Sequence, residues 1–193
     1  GLGSEVTLLE LKDERITQLR KEFRELLGEN LFRRINLVKS SEETIREATK
    51  KADLLIGAVL VPGAKAPEVV KEEMVRGMKK GSVIVDVAID QGGCIWGSRP
   101  TTHENPIYEI DGKIFCCITN MPGQVAFQST QALTNAVLPY ALKLADKGIN
   151  ALREDKNFAR GLNTYQGKIT YKEVAKDLDL MDYYLSLEEA LNL

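Results

Sequence analysis

Apolar and polar positions follow two alternating periods along the first ninety residues. Residues 5–11 (EVTLLEL) form a short apolar run of strand-forming type. The period then lengthens: Ile16, Leu19, Phe23, Leu26 and Leu27 fall on one helical face, with Asp13 placed to cap the start and Gly28 to end it. Residues 34–39 predict a weaker strand on Ile35, Leu37 and Val38. Ser40 with Glu43 makes a capping-box pattern for a helix reaching about Lys51. Residues 53–61 (DLLIGAVLV) are nearly all apolar, which predicts a strand covered on both faces. Pro67 suits the first turn of a helix running to about Met78 and closed by Gly81. Residues 82–88 (SVIVDVA) predict another buried strand. The order is β-α-β-α-β-α-β, the signature of an α/β fold with a parallel sheet and helices on its faces. Ligands of such sheets bind at the carboxyl ends of the strands, so the loops after Leu11, Val61 and Ala88 are the ones to search.

Past Ile89 the texture changes. Residues 91–106 are loop-like, with three Gly and two Pro. Residues 107–110 and 113–118 flank Asp111-Gly112, a hairpin turn signal. The loop 120–123 leads into the longest helical pattern, about 125–146, with Leu133, Val137, Tyr140 and Leu144 on its apolar face and a kink expected at Pro139. The tail reads as short helices over 151–160 and 171–178 and a last one capped by Ser186 with Glu189. There is no internal repeat and no low-complexity linker.

Composition narrows the class. The chain has 193 residues, 44% of them apolar, enough for a packed core and for one domain or one and a half. Lys plus Arg is 26 against 28 Asp plus Glu, a net charge of −2, which gives no support to a nucleic-acid binder. The longest apolar run, 54–64, holds two Gly and one Pro and falls short of the roughly 18 residues of a membrane span. No signal-peptide pattern opens the chain. Three Cys (Cys94, Cys116, Cys117) and one His (His103) suggest neither a disulfide framework nor a metal site. The expectation is a soluble, cytoplasmic protein.

Dinucleotide folds open with a strand, a Gly-rich turn and a helix whose N-terminus holds the pyrophosphate. A carboxylate for the adenosine ribose follows at the end of the second strand. Glu10 sits at such a strand end. Gly1-Leu2-Gly3 is not the fingerprint, because a strand follows it; it reads as the C-cap of a preceding helix. The expected fold is therefore a Rossmann-like parallel sheet lacking its first strand and Gly-rich turn, followed by a long helix and a helical C-terminal segment. A flavodoxin-like domain with an ordinary surface Glu10 is the competing reading.

Five blocks carry a resemblance: residues 56–67 (IGAVLVPGAKAP), 82–93 (SVIVDVAIDQGG), 98–106 (SRPTTHENP), 120–123 (NMPG) and 132–140 (ALTNAVLPY). In order and spacing they resemble the alanine dehydrogenase family, over essentially the whole chain. The related proton-translocating transhydrogenase shares the Rossmann core but differs in the AIDQGG and SRPTTHENP blocks. The resemblance implies NAD-dependent oxidative deamination of L-alanine to pyruvate and ammonia, and its reversal. It extends to the second half of the family's subunit only. On that basis 1–126 is a partial NAD-binding Rossmann domain and 127–193 the C-terminal helical part of the substrate domain.

Carried over residue by residue, the resemblance gives Glu10 the adenosine ribose, favouring NAD over NADP because a carboxylate repels a 2′-phosphate. Arg15 flanks the adenosine and Ser40 the adenine. Val59 and Leu60 match the strand-end backbone under the cofactor, and Val87, Ala88, Ile89 and Asp90 the loop at the nicotinamide. Arg99, Ile118, Thr119, Asn120 and Met121 match further cofactor contacts. Asp90 is the candidate catalytic group. Deamination passes through an iminium that water attacks, and a carboxylate there can hold the cation and move the proton. The competing reading is that Asp90 merely caps the Gln91-Gly92-Gly93 turn.

Departures bound the resemblance. The family's catalytic His, and the Lys and Arg that hold the substrate carboxylate, belong to the N-terminal half. His103 matches a loop position and reads as structural. Lys147 stands where some members carry a metal-binding His. Residues 125–128 (VAFQ) replace the Pro and basic residues usual after NMPG. Cys94 has no basic partner in sequence to activate it. Cys116 and Cys117 read as strand residues, one of them in the core, and the charged face of 12–25 as solvated. The chain is expected to be inactive alone, with a separate chain supplying the N-terminal half as one route to activity. It is expected to form a homo-oligomer, since family members are hexamers and an unpaired strand edge invites pairing. The rivals are a transhydrogenase-type nucleotide domain and a non-catalytic assembly module of the same fold.

Overall fold

In the computed structural model, which describes residues 3–192, strand β1 (Val6–Glu10) runs parallel to β2 (Ile35–Lys39), from Val6 opposite Ile35 to Glu10 opposite Lys39. Helix α1 (Asp13–Phe32) makes the crossover. Gly28 leaves the helical region (φ 72°, ψ 164°), as the sequence predicted, but a further turn follows because Phe32 is buried and draws the chain back. Asp13 is not the cap. The amide of Lys12 donates instead to Glu10 Oε1 at 3.0 Å, and Asp13 pairs with Lys39. Helix α2 (Glu42–Lys51) starts one residue later than predicted. Ser41 and Thr44 form the capping box, because the Ser40 amide extends the sheet ladder by donating to the Glu10 carbonyl at 2.8 Å. Gly1 and Leu2, on which the preceding-helix reading depends, lie outside the described residues.

The second block is a four-stranded sheet in the order β3-β4-β6-β5. Strands β3 (Leu54–Gly57), β4 (Val83–Asp86) and β6 (Lys113–Cys116) are parallel, and β5 (Ile107–Ile110) returns antiparallel beside β6. Asp111 and Gly112 turn that hairpin with positive φ at both residues, the geometry of its two-residue loop. No hydrogen bond joins β1 to β3 among the described residues, so the strands fall into two blocks. In the doubly wound order 3-2-1-4-5-6, the place between these blocks is that of the first strand. The Rossmann-like reading holds.

Two expectations need correction here. Strand β3 is four residues long and not covered on both faces: Leu54 and Ile56 are 54% and 58% exposed. Helix α3 (Glu72–Arg76) begins five residues after Pro67. The intervening backbone is already engaged: the Val69 and Val70 amides donate to the Cys94 carbonyl, and the Trp96 amide to the Val70 carbonyl at 2.8 Å. The core of this block gathers Met74, Val75, Ile84, Cys94, Phe115 and Cys117.

Helix α4 (Ala126–Lys147) passes through Pro139 as one continuous element. Its predicted apolar face does not enter a core: Leu133, Val137, Tyr140 and Leu144 are all exposed. Tyr140 meets Phe158 at 4.9 Å between ring centroids. The tail then folds as α5 (Asn150–Glu154), α6 (Lys156–Ala159), a hairpin of β7 (Thr164–Tyr165) and β8 (Lys168–Ile169), α7 (Lys172–Asp177) and α8 (Leu187–Leu191). The predicted helix 151–160 is split because the Asp155 carboxylate accepts from the Asn157 and Phe158 amides and starts a new helix. Ser186 and Glu189 cap α8 reciprocally, as predicted.

Candidate cofactor site at the carboxyl edge

Three parallel strands of the larger sheet end side by side, so the segments that leave them share one edge. Residues 58–60 follow β3, 87–91 follow β4 and 117–121 follow β6. After β4 the chain makes a single 3-10 turn, Val87–Gln91. It buries Ala88 and Ile89 and leaves Val87 and Asp90 exposed. The Asp90 carboxylate accepts no hydrogen bond and makes no ion pair with any described residue. It does not cap the glycine turn, so its charge is free to meet a ligand.

The group that shapes this turn is Asp86, which sequence reasoning did not single out. Its carboxylate is fully buried. Oδ1 accepts from the Ala88 amide at 3.1 Å and the Cys94 thiol at 3.5 Å. Oδ2 accepts from the Cys94 amide at 2.8 Å, the Ile95 amide at 3.1 Å and the Ser98 hydroxyl at 2.7 Å. One carboxylate thus fixes both ends of the segment carrying Asp90. Its signal in the sequence is a lone acid in an otherwise apolar strand, since a buried charge needs donors of its own. Burial, and then the neighbouring Asp86 charge, push the Cys94 thiol up to about 11. Cys94 is therefore an inert core thiol, in line with the missing basic partner. Cys116 ends β6 half-buried, whereas Cys117 lies just past the strand rather than in it and is the one that enters the core.

The remaining predicted positions fall into two further groups. Ile118 is buried and bridges Thr101, and Thr119 and Asn120 are exposed beside it. Met121 begins the 3-10 turn that leads into α4. His103 Nε2 donates to the Asn120 carbonyl at 2.6 Å, a structural tie on the loop rather than a free ring nitrogen. Arg99 lays its guanidinium 4.2 Å from the Tyr108 ring centroid, and its amide donates to the Tyr108 hydroxyl. Burial, and then the Cys117 thiol, push the Tyr108 hydroxyl upward. On the smaller block, Glu10 and Ser40 are joined through the backbone, and Arg15 pairs with Glu22 at 3.2 Å. No hydrogen bond or ion pair among the described residues links the Glu10 group to the Asp90 turn. Val59 is half-buried and Leu60 exposed at the end of β3. Lys147 pairs with Glu154. No described helix is long and apolar enough to cross a membrane.

A sheet wound in this way defines a Rossmann-like nucleotide-binding domain. Residues 1–172 match the profile of the alanine dehydrogenase/PNT C-terminal domain, and the chain belongs to that family. It is 51% identical over 181 residues to the alanine dehydrogenase of Halomonas elongata, covering 93% of this chain and 47% of that protein. It is 49% identical to the alanine dehydrogenase of Methanococcus maripaludis, covering all of this chain and 49% of that one. A solved L-alanine dehydrogenase superposes with a TM-score of 0.75 at 43% identity, over 93% of this chain and 48% of that chain. The transhydrogenase of Sinorhizobium meliloti follows at 0.53 and 25%, over 66% of this chain and 33% of that one. The chain thus spans about half the length of the alanine dehydrogenases it matches.

Proposed function

We propose that this chain forms the nucleotide-binding and C-terminal half of an NAD-dependent L-alanine dehydrogenase, which deaminates L-alanine to pyruvate and ammonia reversibly. In this reading 1–126 is the partial nucleotide domain and 127–193 the C-terminal part of the substrate domain. The observation that carries the reading is Asp90, an unpaired, exposed carboxylate on a turn pinned from beneath by buried Asp86, at the edge where parallel sheets take their ligands.

The donor and acceptor set fits a dinucleotide. Glu10 Oε1 receives the Lys12 amide, which holds the side chain at the strand end while its other oxygen stays available for ribose hydroxyls. In this reading Ser40, bonded through its backbone to Glu10, and Arg15, on the first turn of α1, border the adenosine. Val59, Leu60 and Val87 offer an apolar bed, and the backbone of Ala88, Ile89, Ile118, Thr119, Asn120 and Met121, with Arg99, lines the remainder. When bound, NAD supplies the acceptor for the hydride leaving the substrate's α-carbon. Asp90 holds the positive charge that develops on the substrate nitrogen and takes the proton of the attacking water. In this reading the substrate clamp is supplied by the half of the enzyme that this chain does not span. A second polypeptide segment and self-assembly are therefore partners of this proposal.

The test is reconstitution. This chain is mixed with the N-terminal half of the Methanococcus maripaludis enzyme, and NADH formation is followed with L-alanine. Alanine-dependent NADH, lost in Asp90→Asn, is the expected result. Continued silence with tight self-association favours an assembly module. Hydride exchange between two nicotinamides without an amino acid favours a transhydrogenase-type domain, whose solved relative matches less of the chain.

A further inference from the structure

The loop that follows β3 is held from two sides. Its Lys65 amide donates to Asp177 Oδ2 at 2.7 Å, a bond between residues 112 positions apart. The next amide, that of Ala66, donates to the carbonyl of Gln91 at 2.9 Å. Gln91 directly follows Asp90 on the 3-10 turn. Two residues before Lys65 the same loop passes under the ring of Tyr171. Gly63 sits at φ +72°, and a Cβ there would lie 2.5 Å from Tyr171 Cε1 and 3.3 Å from Val174 Cγ2. Only glycine meets both the backbone angle and the clearance. A short strap thus runs from α7 in the C-terminal segment, through 63–66, to the candidate catalytic turn.

We propose that Asp177 and Tyr171 are positioning residues: the C-terminal segment sets the loop after β3 and, through the Ala66–Gln91 bond, the placement of Asp90. Neither residue touches the reacting atoms. Asp177 offers an acceptor to a backbone amide, and Tyr171 brings ring carbons Cδ1 and Cε1 against a backbone without a side chain. Successive amides bonded to different elements make the loop a rigid link, so displacing α7 moves Val59, Leu60 and the 87–91 turn together. The proposal rests on the cofactor reading above for its affinity readout alone.

The experiment separates the acceptor from the charge. Asp177→Asn keeps an oxygen that can accept from Lys65, whereas Asp177→Ala removes it. Tyr171→Phe keeps the ring over Gly63, whereas Tyr171→Ala removes it. Affinity is read from NADH fluorescence on this chain, and amide exchange is read residue by residue by NMR. Asp177→Ala and Tyr171→Ala are expected to weaken NADH binding about tenfold, the size of one lost hydrogen bond or packing contact. They are also expected to speed exchange at Lys65 and Ala66 and at Gly92, whose amide closes the Asp90 turn, while leaving β1 and β2 unchanged. Asp177→Asn and Tyr171→Phe are expected to stay within about twofold of the parent. Parent-like affinity in both alanine variants, or Asp177→Asn matching Asp177→Ala, overturns the proposal. If the parent chain takes no NADH without the other half, exchange decides alone. Unchanged protection at Ala66 and Gly92 in Asp177→Ala then overturns the strap, and faster exchange at both supports it.

Discussion

Asp86 and Cys94 are joined twice: the Cys94 amide donates to Asp86 Oδ2 at 2.8 Å and the Cys94 thiol to Oδ1 at 3.5 Å. With the Ala88 and Ile95 amides and the Ser98 hydroxyl on the same carboxylate, the chain from 86 to 98 folds back on a single buried charge. Asp86→Ala leaves these donors facing an empty, dry site. It is expected to lower stability by about 3–5 kcal/mol, read as a shift of the urea midpoint with the slope unchanged.

The same contact sets the chemistry of the thiol. With its pKa pushed up to about 11, Cys94 carries only about one thiolate per thousand thiols at pH 8. Labelling with an aromatic disulfide in the folded protein is expected at half-buried Cys116 first and at Cys94 only on unfolding. A raised folded-state pKa also fixes a sign. The stabilising contribution is complete below the unfolded thiol's titration, near pH ~9, and is lost as the pH rises towards about 11. Thermal midpoints should fall across that alkaline window in the parent, and less steeply in Cys94→Ala.

Gly57, the last residue of β3, has no room for a methyl group: a Cβ would lie 2.6 Å from Cys94 Sγ and 2.8 Å from Ile95 Cδ1. Gly57→Ala is expected to cost about 2 kcal/mol by overpacking. Combined with Cys94→Ala, it should show a favourable coupling of about 1 kcal/mol in a denaturant double-mutant cycle.

Asp90 offers the opposite case. Exposed and unpaired, it contributes little to folding, and Asp90→Asn is expected to shift stability by less than about 0.5 kcal/mol. In the reconstituted enzyme the same change should lower kcat by about 10²–10⁴, the range for a lost proton-transfer group. Equal activity with and without the carboxylate would remove Asp90 from the chemistry.

The exposed apolar side chains of α4 are where the proposed self-association can be tested. Leu133 and Val137 are 66% and 49% exposed on one helix. Leu133→Lys with Val137→Lys is expected to shift sedimentation towards the monomer while leaving the unfolding free energy within about 0.5 kcal/mol of the parent.

Much of this was legible in the sequence. The strands of 6–10, 35–39 and 83–86, the Asp111-Gly112 hairpin, the long helix and the Ser186 cap all follow from local pattern, because each is decided by period or by turn chemistry. Two of the misses, the delayed α3 and the shifted cap of α2, share one cause, namely long-range backbone bonding. Val69 and Val70 are drawn to Cys94, which delays α3. Ser40 is drawn to Glu10, which passes the cap to Ser41. The open face of β3 and the bare α4 are equally invisible to periodicity, which marks an apolar face without saying what covers it. At the candidate site, motif and position single out the exposed acid Asp90. Asp86 was passed over because the number of amides converging on a side chain is not written in its neighbours.

The break between β1 and β3 has a thermodynamic corollary. Among the described residues no backbone bond crosses it, and α2 is tied to the larger block through side chains, by the pairs Arg46–Glu73 and Lys71–Glu42 and by Ile45 against its core, so heat need not melt the two parts at once. The smaller one, two strands and two helices, lies near the lower limit of independent stability. A calorimetric trace should therefore broaden or resolve into an early and a late transition, and a single sharp endotherm would mean that side-chain contacts alone weld the halves into one cooperative body.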